Sequence, residues 1–184
     1  MKQFFRLFAL LLILGSATGR AEDVVIVHNF QTLFSAGNLT ITPNAELEAN
    51  KIGTVNDGIV YTCGDNVVFG SDFATSTQKT INFSGSSKRL EVSQINDLKE
   101  IQLKNTMQNG SMSRDFRVRL STDGSSWGES IYVSEVLGKS MCNVAFPKGN
   151  YYVRIYTSNN TPVSITELRF VTEPEDCNCF VYTP

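Results

Sequence analysis

One alternating segment constrains the fold of this chain more than any other feature. Apolar Phe116, Val118 and Leu120 alternate with polar residues, an Asp123–Gly124 pair follows, and a second alternating run surrounds Ile131 and Val133. A period of two places one set of side chains on each face of a β-strand, and Asp-Gly is a preferred turn sequence between two strands. Residues 114–135 therefore predict a β-hairpin with one buried and one solvated face.

Short strand-like segments separated by turn residues fill most of the remaining chain. They lie at residues 24–27, 39–42, 59–63, 67–69, 80–83, 89–92, 101–103, 141–146, 152–157 and 163–171. The pattern predicts a hairpin across 59–69, two strands separated by a turn at 147–150, and a helical turn only at 44–50. Such spacing is typical of an all-β, antiparallel β-sandwich or jelly roll, which we assign to residues 22–172, with a C-terminal tail at 173–184.

The first 21 residues have the organisation of a secretory signal peptide. Lys2 and Arg6 precede a short apolar run, and small residues occupy Gly19 and Ala21. This order predicts cleavage after Ala21 and no membrane insertion of the remaining chain. The alternative is an uncleaved anchor, but the apolar run is shorter than the roughly 20 residues that span a bilayer. We expect a secreted, periplasmic or cell-surface protein.

The length and charge of the chain limit the classes of partner that we expect. The 184 residues suffice for one domain with a substantial core. The chain has 16 basic and 18 acidic residues, and the predicted signal peptide contains basic residues but no acidic ones. A mildly acidic chain with scattered cations argues against nucleic acid or an anionic membrane as partner.

Four cysteines follow the leader, at positions 63, 142, 177 and 179. An even number in an exported chain permits disulfides, and a bond between Cys63 and Cys142 would close a long loop. The alternative for these two residues is a pair of buried thiols, because both lie in strand-like segments. Zinc binding is not expected, since the Cys177-x-Cys179 pair lacks a second nearby ligand pair.

The C-terminal half resembles discoidin-like modules, also called factor 5/8 C-type or galactose-binding-like jelly rolls. The residues that carry the resemblance are Ser121, Asp123, Gly124 and Trp127 in the hairpin turn, the Tyr152–Ile155 strand, and the Glu167-Leu168 step. The resemblance implies a galactose-binding-like sandwich. In the N-terminal half, residues 57–70 and 84–105 resemble secreted bacterial sandwich modules, some of which are joined to polysaccharide-degrading enzymes.

No catalytic constellation emerges from the sequence, and we expect a protein that is not an enzyme. His28 is the only histidine and has no evident triad partners. The acidic residues offer many carboxylate pairs, but the sequence selects none for glycoside hydrolysis. We expect no cofactor, although turn residues Asp65, Asp72 and Asp123 leave a structural calcium open, since Ca²⁺ prefers oxygen ligands.

Carbohydrate binding is the function with the best physical support from the sequence. Sugar C–H groups dock on aromatic faces, and planar polar side chains orient hydroxyls. The candidate ligand-binding residues are Trp127, Tyr152, Arg154 and Tyr156. The alternative is that Trp127 covers one end of the core and that the tyrosines are cross-strand packing partners. We therefore predict a carbohydrate-binding or surface-adhesion module, with a structural or protein-interaction sandwich, or a small glycan hydrolase, as alternatives.

Overall fold

The computed structural model describes residues 22–43, 51–72, 77–84, 88–107, 116–135, 141–157 and 162–173. Over these ranges the regular elements are strands and a single short helix. No helix in the described residues is long and apolar enough to cross a membrane. The elements are β1 (Val24–Asn29), α1 (Phe30–Ser35), β2 (Leu39–Pro43), β3 (Lys51–Val55), β4 (Val60–Cys63), β5 (Val67–Ser71), β6 (Lys79–Phe83), β7 (Lys88–Met107), β8 (Phe116–Ser121), β9 (Ile131–Tyr132), β10 (Ser134–Glu135), β11 (Cys142–Thr157) and β12 (Val163–Thr172).

The strands form an antiparallel β-sandwich, as the sequence predicts. One layer has the order β2-β3-β4-β7-β11-β8-β9. The other is built on β12, which pairs with β1, β6 and β7, while β5 pairs with β6. The long strands β7 and β11 contribute to both layers, because different parts of β7 pair with β4 and with β12. Residues that alternate on these strands therefore face either the core between the layers or the solvent.

The bends of the two long strands correct the predicted boundaries. Residues 141–146 and 152–157 belong to the single strand β11, and residues 147–150 form no turn between separate strands. Instead the register between β11 and β7 shifts repeatedly between Ala145 and Val153. On β7, Asp97 has a φ of 53°, in the left-handed region. Bulges of this kind bend a strand without ending it, which periodicity alone does not reveal.

Two local predictions differ from the structure. Segments 59–63 and 67–69 do form strands, but β4 pairs with β3 and β7, and β5 pairs with β6, so the predicted hairpin is wrong. The turn at residues 64–66 redirects the chain from one strand partner to another. Helix α1 was not predicted; Asn29 caps it by accepting a hydrogen bond from the Thr32 N–H. The signal peptide, the helical turn at 44–50 and the tail beyond Glu173 lie outside the described residues.

Apolar side chains of both layers fill the core. Fully buried aromatic rings make edge-to-face contacts, with ring centroids 5.5 Å apart for Phe83 and Phe116 and 5.6 Å apart for Phe30 and Tyr61. Val118, Val153 and Ile155 contribute from β8 and β11. Burial of such side chains stabilises a sandwich by roughly 1.5–3 kcal/mol each, so the inward residues of these strands hold the outward ones in place.

The predicted Cys63–Cys142 disulfide is wrong. Both residues are buried thiols, but Cys63 is paired with Leu90 and Cys142 with Leu103, positions that lie far apart along β7. A strand rises about 3.3 Å per residue, whereas a disulfide requires Cα atoms within roughly 7 Å. The alternative of two buried thiols agrees with the structure. Cys177 and Cys179 lie outside the described residues.

Candidate functional site

The outward face of β11 carries three of the four predicted ligand-binding residues. Val153 and Ile155 are fully buried, so the alternating Tyr152, Arg154 and Tyr156 point away from the core. Each of the three is partly exposed. The period of two in the sequence therefore places them correctly, side by side on the solvated face of the first layer.

The loop between β8 and β9 holds the fourth residue, Trp127, above this face. The Asp123 carboxylate accepts hydrogen bonds from the backbone N–H groups of Ser125 and Ser126, at 2.8 and 2.7 Å, and from the Ser121 hydroxyl. The Ser126 and Ser125 N–H groups and the Ser121 hydroxyl hold the pKa of Asp123 well below its usual range. The predicted β8–β9 hairpin is confirmed, and its turn is closed by hydrogen bonds rather than left open.

Gly124 allows this loop to lie directly on β11. Its φ is 74°, a conformation that side chains with a Cβ rarely adopt. A Cβ at this position would lie 3.5 Å from the Tyr152 ring, so the loop backbone packs against that ring in ordinary contact. The Asp-Gly sequence thus serves both the turn and the approach of the Trp127 loop to Tyr152.

Arg154 is the centre of the site. Its Nε and Nη2 atoms donate hydrogen bonds to Glu91 Oε1 at 3.0 and 2.8 Å. Its guanidinium lies 4.0 Å from the centroid of the Trp127 ring, within cation–π distance. Glu91 and Trp127 come from different elements, so together they restrict the rotamers of Arg154 and pre-organise its remaining N–H donors.

Strand register brings further arginines next to these residues. Arg154 is paired with Arg119 of β8 on one side and Glu91 of β7 on the other. In the neighbouring row, Tyr156 lies between Arg117 and Arg89. We call this surface the arginine–aromatic face; it consists of Arg89, Glu91, Arg117, Arg119, Trp127, Tyr132, Tyr152, Arg154 and Tyr156.

Three arginine–aromatic contacts repeat across the face. The Arg117 guanidinium lies 4.4 Å from the Tyr132 ring centroid, and the Arg119 guanidinium lies 5.6 Å from that of Tyr156. Arg154 on Trp127 is the third contact. Tyr156 is also hydrogen-bonded through its hydroxyl to Ser130. The face therefore combines planar cations with flat apolar rings.

Two pockets of about 280 Å³ each lie on the arginine–aromatic face. The first, which we call the cationic pocket, is lined by Lys88, Arg89, Arg119, Arg154 and Tyr156. The second, the tryptophan pocket, is lined by Val60, Thr62, Glu91, Val92, Ser93, Gly124, Trp127 and Tyr152. Because Arg154 lines the first and its partner Glu91 lines the second, the Arg154–Glu91 ion pair separates them. The four predicted residues are thus divided between two adjoining pockets.

A second polar cluster lies elsewhere, around His28. This side chain is buried, with Nδ1 2.5 Å from the Tyr61 hydroxyl and Nε2 2.7 Å from Asp57 Oδ2. Burial, and then the Asp57 carboxylate, raise the pKa of Tyr61. The sequence did not predict the two partners. Since the Tyr61 hydroxyl is buried with its ring, this chain of hydrogen bonds joins β1, β4 and the loop after β3 and presents no nucleophile to solvent.

Carboxylates occur singly in the pockets. Among the described residues, the tryptophan pocket contains Glu91, a pocket beside β1 contains Asp57, and the cationic pocket contains none. Glycoside hydrolysis requires two carboxyl groups about 5–10 Å apart across a substrate, and none of these three pockets offers that pair. No group of three or more metal-ligating side chains occurs in the described part of the chain. Asp72 accepts a hydrogen bond from Thr106, and Asp123 binds its own loop.

Sequence reasoning missed five residues of the face, namely Tyr132 and four charged residues. Arg89, Glu91, Arg117 and Arg119 all alternate with buried residues, which was visible in the sequence. What was not visible is the register that sets Arg119 and Glu91 on either side of Arg154. The alternating arginines of β8 were a signal for an outward cationic strand, but their partners depend on which strand lies beside it.

Comparison with known proteins assigns no family. No protein-family model and no curated protein matches the chain. Among solved structures, a histidine mutant of the lectin-binding domain of lectinolysin, complexed with Lewis b, is 16% identical, covers 60% of this chain and 94% of its own, and has a TM-score of 0.42. The low-affinity xylan-binding module CBM86 from Roseburia intestinalis is 10% identical, with coverages of 81% and 94% and a TM-score of 0.39.

A third similar structure is the K2 cleaved adhesin domain of Lys-gingipain. It is 12% identical, with coverages of 85% and 92% and a TM-score of 0.34. These structures are binding or adhesin domains, and their likeness to this chain is limited to the all-β architecture. None of the three places the chain in the discoidin-like family.

Proposed function

We propose that this protein is an exported, non-catalytic glycan-binding module with a discoidin-like sandwich, and that its glycan binds on the arginine–aromatic face. One observation carries the proposal. The residues that the sequence predicts for sugar binding lie around two adjoining pockets on a single outward sheet face; they are Trp127, Tyr152, Arg154 and Tyr156. Small-molecule sites characteristically combine apolar and aromatic walls with a few oriented polar groups.

The tryptophan pocket suits a sugar ring chemically. Trp127 and Tyr152 supply ring surfaces for sugar C–H groups, and Thr62, Ser93 and Glu91 supply polar atoms for hydroxyls. Because Glu91 and Trp127 already hold Arg154, binding would cost little side-chain entropy there. Such pre-organisation is compatible with a glycan-binding site that is formed by few residues.

A panel of soluble polysaccharides and oligosaccharides tests the proposal, with affinity measured by titration calorimetry. We expect Trp127→Ala and Tyr152→Ala each to weaken binding about tenfold, which corresponds to roughly 1.4 kcal/mol. The control is Val25→Ala, because Val25 is an exposed large apolar side chain of strand β1 that lies outside the arginine–aromatic face and lines neither pocket. This control should bind like the wild-type protein.

Stability measurements separate binding from folding. Trp127 is partly exposed and its described ring contact is the cation–π interaction with Arg154, so Trp127→Ala should lower the free energy of unfolding by about 1 kcal/mol. A loss of several kcal/mol would identify Trp127 as a core residue instead. If no glycan binds the wild-type protein, a structural or protein-interaction role replaces the proposal. The exposed Val24, Val25 and Val27 of strand β1 would then be the surface to study.

A further inference from the structure

The cationic pocket has a composition that neutral sugars do not require. Its described lining contains Lys88, Arg89, Arg119 and Arg154 with Tyr156, and no carboxylate. The whole chain has a net charge of −2, so this concentration of cations is opposite to the charge of the protein. A local excess of charge in a concave site raises the local concentration of ligands of the other sign.

Glu91 alone does not balance this charge. Its Oε1 accepts both hydrogen bonds from Arg154 and lies 3.7 Å from Arg89 Nε. Arg119 makes no ion pair with a described carboxylate; its Nε donates to the Ser130 hydroxyl at 3.3 Å, and its guanidinium stacks on Tyr156. Arg119 also lies directly opposite Arg154 across the strand pair, and like charges in that arrangement repel.

Lys88 adds a fourth cationic side chain to the same pocket. The residue is only 2% exposed, and burial lowers its pKa because the ammonium loses water. An anion that entered the pocket would reduce the repulsion between Arg119 and Arg154.

The geometry points to an anionic glycan as the ligand: we propose that the cationic pocket binds a carboxylate or sulfate group of the sugar whose neighbouring ring lies against Trp127 and Tyr152. This inference rests on the proposed function, because it specifies the class of ligand for the same face. Planar guanidinium groups donate paired hydrogen bonds to carboxylate and sulfate oxygens, which a single hydroxyl does not accept. The pocket volume of about 280 Å³ is near the lower end of the range for small-molecule sites. A volume of this size fits one substituted sugar residue better than a folded polypeptide.

Matched polymers test the inference and separate the two anionic groups. Polygalacturonate is compared with its methyl ester, and dextran sulfate with dextran, so that each pair differs in charge and shares a backbone. We expect at least one charged polymer to bind the purified protein tenfold or more tightly than its neutral counterpart. The polymer that shows this preference identifies carboxylate or sulfate as the preferred group.

Two charge-removing variants locate the effect. Arg119→Gln should reduce the preference for the charged polymer about tenfold. Lys104→Gln is the control, because Lys104 is exposed on the part of β7 that pairs with β12 and lines neither pocket. It should change affinity less than twofold, at both low and physiological ionic strength. Arg89→Gln provides a second pocket variant if Arg119→Gln has an altered melting temperature.

Each contrary result has a distinct meaning. Equal binding of charged and neutral polymers, still weakened by Trp127→Ala, would overturn the anionic ligand and leave glycan binding intact. Equal losses in Arg119→Gln and Lys104→Gln would also overturn it, because the attraction would then be unspecific. Binding of free inorganic sulfate without binding of any sugar or polymer would refute the proposed function itself.

Discussion

The arginine–aromatic face and the His28 cluster contain similar residue types but pair their polar groups differently. Around His28, both ring nitrogens have hydrogen-bond partners, and Tyr61 is fully buried. On the arginine–aromatic face, the cations outnumber the carboxylates, and two pockets lie open beside them. A buried polar cluster whose donors and acceptors are all paired holds strands together, whereas an exposed cluster with excess charge has capacity left for a ligand.

This contrast predicts where substitutions damage the fold and where they damage binding. Residues of the His28 cluster join elements that are distant in the chain, so their loss should reduce stability. On β8 and β11, the outward residues of the arginine–aromatic face alternate with buried residues. The buried side of these strands remains intact when an outward side chain is shortened. Three measurements test the comparison, in order of decreasing expected effect.

Tyr61→Ala should have the largest effect on stability. It leaves a cavity among Phe30, His28 and their neighbours, and should lower the free energy of unfolding by about 3–5 kcal/mol. Tyr61→Phe keeps the ring but removes the hydroxyl partner of His28 Nδ1, and should cost about 1–3 kcal/mol. Urea denaturation measures both. A Tyr61→Phe variant as stable as the wild type would show that the hydrogen bond is not what holds this cluster.

Acidification should affect the Trp127 loop only in strong acid. The folded protein holds the pKa of Asp123 below its unfolded value of about 3.9, so the stabilisation is fully present above that pH and is lost as the pH falls through the lower folded-state pKa. Fluorescence of Trp127, the only tryptophan, should therefore stay constant from neutral pH to about pH 4.

Two variants give this titration its control. Asp123→Ala should loosen the loop already at neutral pH and lower the fluorescence anisotropy of Trp127, because three hydrogen bonds to the carboxylate are lost. Asp65→Ala removes an exposed turn carboxylate elsewhere and should leave the signal unchanged. Identical anisotropy in wild type and Asp123→Ala would contradict the assignment of loop order to Asp123.

Arg119→Gln should have the smallest effect on stability. It removes repulsion with Arg154 and also loses the weak contact with Tyr156, so the free energy of unfolding should change by no more than about 0.5 kcal/mol. Added salt should stabilise the wild type more than this variant, since salt screens the repulsion. A loss above about 2 kcal/mol in thermal or urea unfolding would make Arg119 part of the structural framework and remove the contrast with the His28 cluster.

The sequence by itself determined the fold class and the local geometry of its strands. Alternation at residues 116–121 and 152–156 assigns the buried and outward faces correctly, because side-chain direction in a strand has a period of two whatever the neighbour. The Asp123–Gly124 turn was likewise readable, since the turn chemistry is carried by adjacent residues.

Tertiary structure alone decided which strands are neighbours, and with that the site. Pairing of β11 with β7 and β8 places Arg154 between Glu91 and Arg119, and pairing of β4 with β7 separates Cys63 from Cys142. Such pairings join residues far apart in the chain through backbone hydrogen bonds that are nearly independent of residue type. Local pattern therefore identifies Trp127, Tyr152, Arg154 and Tyr156 as outward or loop residues, and only register surrounds them with the cations that define the pocket.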